Sequence, residues 1–273
     1  MARPHIEFVQ TQNVVWESQA DGSRVKILNA DPDSREATLL IDYPAGYRAP
    51  APAASDPGEE FFVLDGTIAI DGSLRGRHAY GFLPQGAGLG ARETAGGAIL
   101  LLFRHAESDP NARAGTAEAL AIDTARMPWD VSTYDPALNH LRLARKVLRL
   151  GPNDSCRTFL LTGMPHGVPT EATMPTETHD HCEEMLMLGG EMWAPEGLMR
   201  AGAYFYRPPH IVHGPHVSEN GFFQIMRSPG ANRIVTHWSE ERRALPIGVA
   251  YTPVMPAGTP EAWREPWMGA APY

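Results

Sequence analysis

The stretch Glu59-Glu60-Phe61-Phe62-Val63-Leu64-Asp65-Gly66 returns as Glu183-Glu184-Met185-Leu186-Met187-Leu188-Gly189-Gly190, displaced by 124 residues (183 − 59). Each copy is a short apolar run opened by two carboxylates and closed by glycine, the pattern of a strand entering a turn. The same displacement relates Ala79-Tyr80 to Ala203-Tyr204, Pro84 to Pro208 and Gly97 to Gly221. Upstream the displacement is 121 residues (154 − 33): Asp33-Ser34 returns as Asp154-Ser155, Leu39-Leu40 as Leu160-Leu161, Pro44 as Pro165 and Gly46 as Gly167. Two constant offsets and one three-residue insertion describe a duplicated domain.

Each repeat reads as β-structure. Arg24–Leu28, Ala37–Asp42, Ala98–Phe103, Lys146–Leu150, Arg157–Thr162 and Phe222–Arg227 are short apolar runs bounded by turn residues. Closely spaced strands without alternating helices indicate an antiparallel sandwich or barrel. Pro136–Leu148 has helical spacing, but its end aligns with a strand of the first repeat. The expected division is residues 1–125 and 126–273, with Pro110–Asp135 as the linker region and a Pro-, Gly- and Trp-rich tail after Leu245 packing irregularly over a barrel or a partner subunit.

Composition narrows the function. The 273-residue chain is 43% hydrophobic and carries a formal net charge of −9, without a basic block. It has the apolar content for a core, and nucleic acid or an anionic membrane is a poor partner for it. Two cysteines, Cys156 and Cys182, do not make a disulfide framework in a chain of this length. With a polar N-terminal stretch and no apolar run of spanning length, the expected location is the cytoplasm.

The chemistry concentrates in the second repeat, in Glu177-Thr178-His179-Asp180-His181-Cys182-Glu183. If this segment is extended, alternation places residues 177, 179, 181 and 183 on one face. His213 follows thirty residues after Glu183. Imidazole and carboxylate together suit Zn, Fe, Mn, Ni or Cu. Cys182 would face away. Trp193, Tyr204, Tyr206 and Gln224 lie on strands that would line a barrel. Arg227 and Arg207 could meet a substrate carboxylate or phenolate, a surface ion pair being the plainer reading of both. His210 and His216 could orient a metal ligand from behind.

These residues resemble the two motifs of the cupin superfamily. Glu183 is followed by six residues and Gly190; Gly202 is followed by five residues and Pro208, with His213 at the second motif's histidine position. The resemblance spans nearly the whole chain as two copies. It is nearest to bicupins with barrels like the zinc-binding cupin of anti-sigma factors. It implies an all-β fold of two tandem cupin (jelly-roll) barrels, the second holding one divalent transition metal on His179, His181, Glu183 and His213. One residue between His181 and Glu183 is fewer than the family spacing, so Glu177 competes with His181 for a place. In the first repeat Ser55, Pro57 and Leu89 stand where His179, His181 and His213 would be, and Glu59 alone persists. The first barrel is therefore expected to be metal-free and structural.

The resemblance further implies a metal-dependent enzyme. Fe(II) is the favoured ion, with cleavage of a C–C bond in a small diketone- or phenol-like substrate by O2. A Zn or Mn isomerase, cyclase, decarboxylase or hydrolase is the alternative. A metal-binding regulatory cupin and a metal-free storage bicupin are further readings. Exposed sheet edges suggest a homodimer.

Overall fold

The computed structural model describes residues 3–51, 57–84, 90–105, 120–132, 135–151, 157–229 and 235–273. The chain divides into two compact units. One comprises residues 1–3 and 14–127; the other comprises residues 4–13 and 128–273. A cut between 125 and 126 thus misassigns the N-terminal stretch Pro4–Asn13, which belongs with the second unit.

That stretch carries β1 (Ile6–Gln10), a strand buried throughout. The first unit then runs through β2 (Glu17–Ser18), β3 (Arg24–Ala30), β4 (Ala37–Tyr43), β5 (Arg48–Ala49), β6 (Gly58–Gly66), β7 (Ile68–Ile70), β8 (Ser73–Arg75), β9 (Ala79–Leu83), β10 (Arg92–Glu93), β11 (Ala98–His105) and β12 (Leu120–Asp123). The second unit continues with β13 (Ala144–Leu150), β14 (Arg157–Gly163), β15 (Thr173–His179), β16 (Glu183–Ala194), β17 (Gly197–Arg200), β18 (Ala203–Arg207), β19 (Phe222–Ser228) and β20 (Thr236–Ala244). Pro136–Leu141 is a 3-10 turn capped by the Asp135 carboxylate, and strand β13 follows it. The helical spacing at Pro136–Leu148 therefore produces one short helical stretch before the strand demanded by the repeat.

The first unit's large sheet has the order β12-β9-β6-β11-β4-β3-β2, and the second unit's has β1-β18-β16-β19-β14-β13. All pairs in both are antiparallel. Apart from β2, which has no counterpart, the orders correspond strand for strand, with one exchange. Beside β9, the first unit places β12, which follows the repeat. Beside β18, the second unit places β1, taken from the chain's N-terminus. Part of the expected linker is thus structural: Leu120–Arg126 forms β12 and a short 3-10 turn of the first unit.

Other paired features follow the 124-residue offset. Gly66 and Gly190 both have positive φ, and a Cβ at either would fall on the carbonyl oxygen of Gly97 or Gly221 respectively. Only glycine meets both demands. Thr94 donates its hydroxyl to the Thr67 carbonyl at 2.6 Å, as Ser218 does to that of Glu191 at 2.6 Å. Tyr80 donates to the buried Glu60 carboxylate at 2.9 Å, and Tyr204 to that of Glu184 at 3.1 Å. Each buried carboxylate is thereby satisfied on the outer side of its barrel.

The cores differ in composition. The first packs Val25, Leu39, Ile41, Val63, Ile68, Leu100 and Leu102 with aromatics. The second packs Met185, Met187, Met192, Met199 and Met226 around Phe8, Phe205 and Phe222. Flexible thioethers fill irregular space that branched side chains leave empty. The tail is tied to β1: Val254 and Glu7 exchange backbone hydrogen bonds, and Tyr251 donates to the Phe8 carbonyl at 2.6 Å. Among the described residues no helix is long and apolar enough to cross a membrane.

Candidate metal centre

The Glu177–Glu183 segment does not stay extended: it is two strands with a turn, the register that favours Glu177 over His181. β15 ends at His179 and β16 begins at Glu183, so residues 180–182 form the corner. Glu177 and His179, two apart on β15, share a face. His213 reaches them from the other motif. Its backbone N–H and carbonyl both pair with those of Glu177, at 3.0 Å each, which locks the two segments in register. Ligand atoms of Glu177, His179 and His213 all lie within 4.8 Å of one another.

Both histidines are oriented from behind. His179 Nδ1 donates to the Val235 carbonyl at 3.2 Å, and His213 Nδ1 to the Ile211 carbonyl at 2.9 Å. That assigns the ring proton to Nδ1 and leaves each Nε2 lone pair facing the cluster, the arrangement metal-binding imidazoles use. His179 Nε2 stands 3.9 Å from Glu177 and 3.8 Å from Glu183; His213 Nε2 stands 3.7 Å and 3.8 Å from the same two carboxylates. Glu183 therefore borders the group from the opposite strand.

His181 occupies the turn, stacked on His179 with ring centroids 4.8 Å apart. It is buried, and its Nδ1 has no hydrogen-bond partner among the described residues. Cys182 points elsewhere and accepts from the Tyr206 hydroxyl at 3.2 Å.

The two carboxylates sit in opposite fields. Burial, reinforced by the facing Glu183, pushes Glu177 up to about 8. Burial alone would raise Glu183 too, but His179, Arg207 and His213 outweigh it and hold Glu183 at about 2. Burial, then the charge of Arg207, lowers His213 to about 4. Burial, then His179, lowers His181 to about 4. These imidazoles and carboxylates form a group that could hold a divalent cation.

Arg207 supports this arrangement and is no surface ion pair. It is 3% exposed. It grips both oxygens of Glu7 and donates to Glu183 at 2.9 Å. Glu7 comes from β1, so the exchanged strand brings the counter-charge for the residue that orients Glu183. Burial would raise Glu7, but Arg207 and His5 hold it at about 2. His216 contacts Arg207 at 3.3 Å, while His210 is an exposed residue facing Asp180 at 3.7 Å. Nothing in the sequence marked Glu7: an isolated glutamate near a terminus has no motif, and only the strand exchange recruits it.

A cavity of about 300 Å³ opens over the cluster, with Phe159, Met192, Phe205, Met226 and Gln224 in its walls. Of the lining residues expected from sequence, Gln224 is there. Tyr204, Tyr206, Trp193 and Arg227 are not. Alternation on β18 turns Phe205 and Arg207 inward and the two tyrosines outward. On β19, Gln224 and Arg227 are an odd number of positions apart and cannot share a face. Arg227 instead donates to Glu184 at 2.9 Å, a buried ion pair. On β16, Met192 lines the cavity, and the adjacent Trp193 donates to Glu219 at 3.1 Å.

In the first unit Glu59 is buried and accepts a hydrogen bond from Arg92. Ser55 and Leu89, the counterparts of His179 and His213, lie outside the described residues, as does Cys156.

A family model described as the ChrR cupin-like domain matches residues 5–107 and again 117–230. No curated protein matches the chain. Among solved structures, a candidate dioxygenase of Nostoc punctiforme PCC 73102 is similar at a TM-score of 0.71 and 18% identity, over 86% of this chain and 91% of that one. A protein of Pseudomonas aeruginosa described as glyoxylate-induced is similar at 0.60 and 15%, over 84% and 91%. A deletion mutant of Bacillus subtilis oxalate decarboxylase is similar at 0.51 and 12%, over 85% and 79%. At these identities the likeness is one of fold.

Proposed function

Because the chain belongs to the family of ChrR cupin-like domains, matched in both of its halves, we propose that it is a metal-dependent enzyme whose reaction takes place in the second barrel. One observation carries the reading: two buried imidazoles with Nδ1 tied to carbonyls present their Nε2 atoms to a partly buried carboxylate, at the floor of an apolar cavity. His179, His213 and Glu177 would hold the metal, with Glu183 beside them and His181 in the adjoining turn. A divalent ion there supplies Lewis acidity, and Fe(II) would add the capacity to activate O2. Fe(II) and a dioxygenase reaction are the preferred form of the proposal, encouraged by the similar fold of the candidate dioxygenase.

The chain's own residues do the rest. Arg207 keeps Glu183 ionised and aimed at the cluster. Phe159, Met192, Phe205 and Met226 exclude water and accept an apolar body. Gln224 donates to the Met226 sulfur at 3.2 Å, and its buried carbonyl oxygen has no hydrogen-bond partner among the described residues. That oxygen accepts from a substrate hydroxyl. The cavity is at the small end of ligand sites, which suits an enolised diketone or a phenol. On this reading the protein works as a cytoplasmic homodimer; a monomeric mass in light scattering would refute the dimer.

The experiment is anaerobic purification, loading with Fe(II), Mn(II) or Zn(II), and oxygen uptake across β-diketones and hydroxylated aromatics. Near-stoichiometric metal with Fe-dependent oxygen consumption is expected. Turnover with Zn or Mn and no oxygen uptake would replace the dioxygenase form. Absence of metal-dependent turnover from every class would overturn the enzyme reading.

A further inference from the structure

We propose that the first barrel is a separate small-molecule site, which takes an apolar compound and recognises it through an uncharged oxygen acceptor such as a ketone or quinone carbonyl. It is independent of the metal reading of the second barrel.

The first unit holds a cavity of about 970 Å³, walled by Val25, Leu39, Ile41 and Tyr47, with Glu59, Tyr43 and Arg92 in its lining. The cavity is half open, with the exposed residues Glu17, Gln19 and Ile27 on its rim, and it has room for a ligand of two or three rings.

The polar lining is as unusual as the volume. Arg92 is buried, pairs with the buried Glu59, and donates to the Tyr43 hydroxyl at 2.6 Å. An ion pair at the wall of an apolar cavity costs desolvation that a purely structural barrel would avoid. One donor is left over at the cavity wall, because Arg92 Nε, though without a hydrogen-bond partner among the described residues, is itself shielded from the cavity. Tyr43, already accepting from Arg92, still has its own proton to give, and burial pushes that phenol up from its ordinary value. Tyr43 and Tyr47 pack at a centroid distance of 4.7 Å, offering flat aromatic surface nearby.

The surroundings choose the ligand's charge. Glu59 already neutralises Arg92, and Asp21, which accepts from the Tyr47 hydroxyl at 2.7 Å, adds a second carboxylate to the cavity wall. A carboxylate ligand would meet both. A cationic one would find its best partner, Glu59, already taken. An uncharged carbonyl accepts from the Tyr43 hydroxyl and disturbs neither pair. At the 124-residue offset Arg92 stands where the second repeat has His216. Arg92 donates to Glu59 directly, whereas His216 reaches Arg207, the donor to Glu183.

The test uses the metal-free full chain and three matched probes: 2-acetylnaphthalene, naphthalene-2-carboxylate and 2-ethylnaphthalene. Binding is followed by protein-observed NMR. The ketone is expected to bind with one-to-one stoichiometry, at least 10-fold tighter than the other two. Tyr43→Phe should weaken it several-fold and Leu39→Trp, which fills the cavity, should abolish it; His213→Ala should leave it unchanged. Arg92→Met is a harsher variant, so the two gentler changes and the probe series decide the matter if it fails to fold. Equal affinity for all three probes, preference for the carboxylate, loss of binding in His213→Ala, or no binding at millimolar probe would each overturn the proposal.

Discussion

Glu59 and Glu183 occupy the same place in two copies of one barrel, and each meets an arginine. In the first unit the arginine is Arg92, on β10, and it leaves Glu59 locked in a closed pair. In the second it is Arg207, on β18, whose charge is largely spent on Glu7. Glu183 therefore keeps an oxygen 3.8 Å from each of His179 and His213. A buried cation with one carboxylate partner neutralises it, while a buried cation shared with a second carboxylate only orients it. What the copies kept in common lies away from that centre: Tyr80 on Glu60 and Tyr204 on Glu184, Gly66 under Gly97 and Gly190 under Gly221. The scaffold is conserved between the repeats, and the chemistry is exchanged on its inner face.

The largest effect expected from breaking this contrast is at the metal. His213→Ala should lose metal affinity by more than the ~10–100-fold that removing an outer partner costs, while Glu59→Gln should leave metal content unchanged; calorimetric titration and elemental analysis read both. Next is the pair of arginines. Arg207→Met and Arg92→Met each strand a buried carboxylate and should each cost about 3–5 kcal/mol by denaturant unfolding. Only Arg207→Met should also weaken metal binding.

Acid titration sharpens the same point. Glu7 is held at about 2 in the fold against an ordinary 4.5. A depressed carboxylate stabilises fully above its unfolded pKa and loses that stabilisation as the pH falls through the folded one. Stability should therefore decline between about pH 4.5 and 2, and Glu7→Gln should flatten that decline; an unchanged acid limb would exclude Glu7 as its source. Smaller and symmetric effects are expected at the shared scaffold. Gly66→Ala and Gly190→Ala force a side chain into left-handed backbone against a carbonyl, and each should cost about 1–3 kcal/mol. A twofold disparity would show that the two barrels are not mechanically equivalent.

The duplication, the β-class and the cluster around His179 and His213 were legible in the sequence because they are local patterns: constant offsets, alternating apolar runs, and ligand residues within a few positions or one motif apart. The pocket walls were legible only in part. Choosing Tyr204 and Tyr206 over Phe205 is an error of one residue in register, and period-two structure turns that error into the opposite face. Trp193 and Arg227 failed for the same reason.

By itself, then, the sequence determined that there are two related barrels and that the imidazoles gather in the second. Tertiary structure decided which residues complete each site. It broke the Glu177–Glu183 segment at a corner, so that Glu177 and His179 face His213 while His181 lies in the turn. It brought β1 across from the N-terminus to give Arg207 its partner. The physical reason is that ligand types and strand periods are encoded within a few residues, whereas the partner of a buried charge is set by which distant strand fills the neighbouring slot in the sheet.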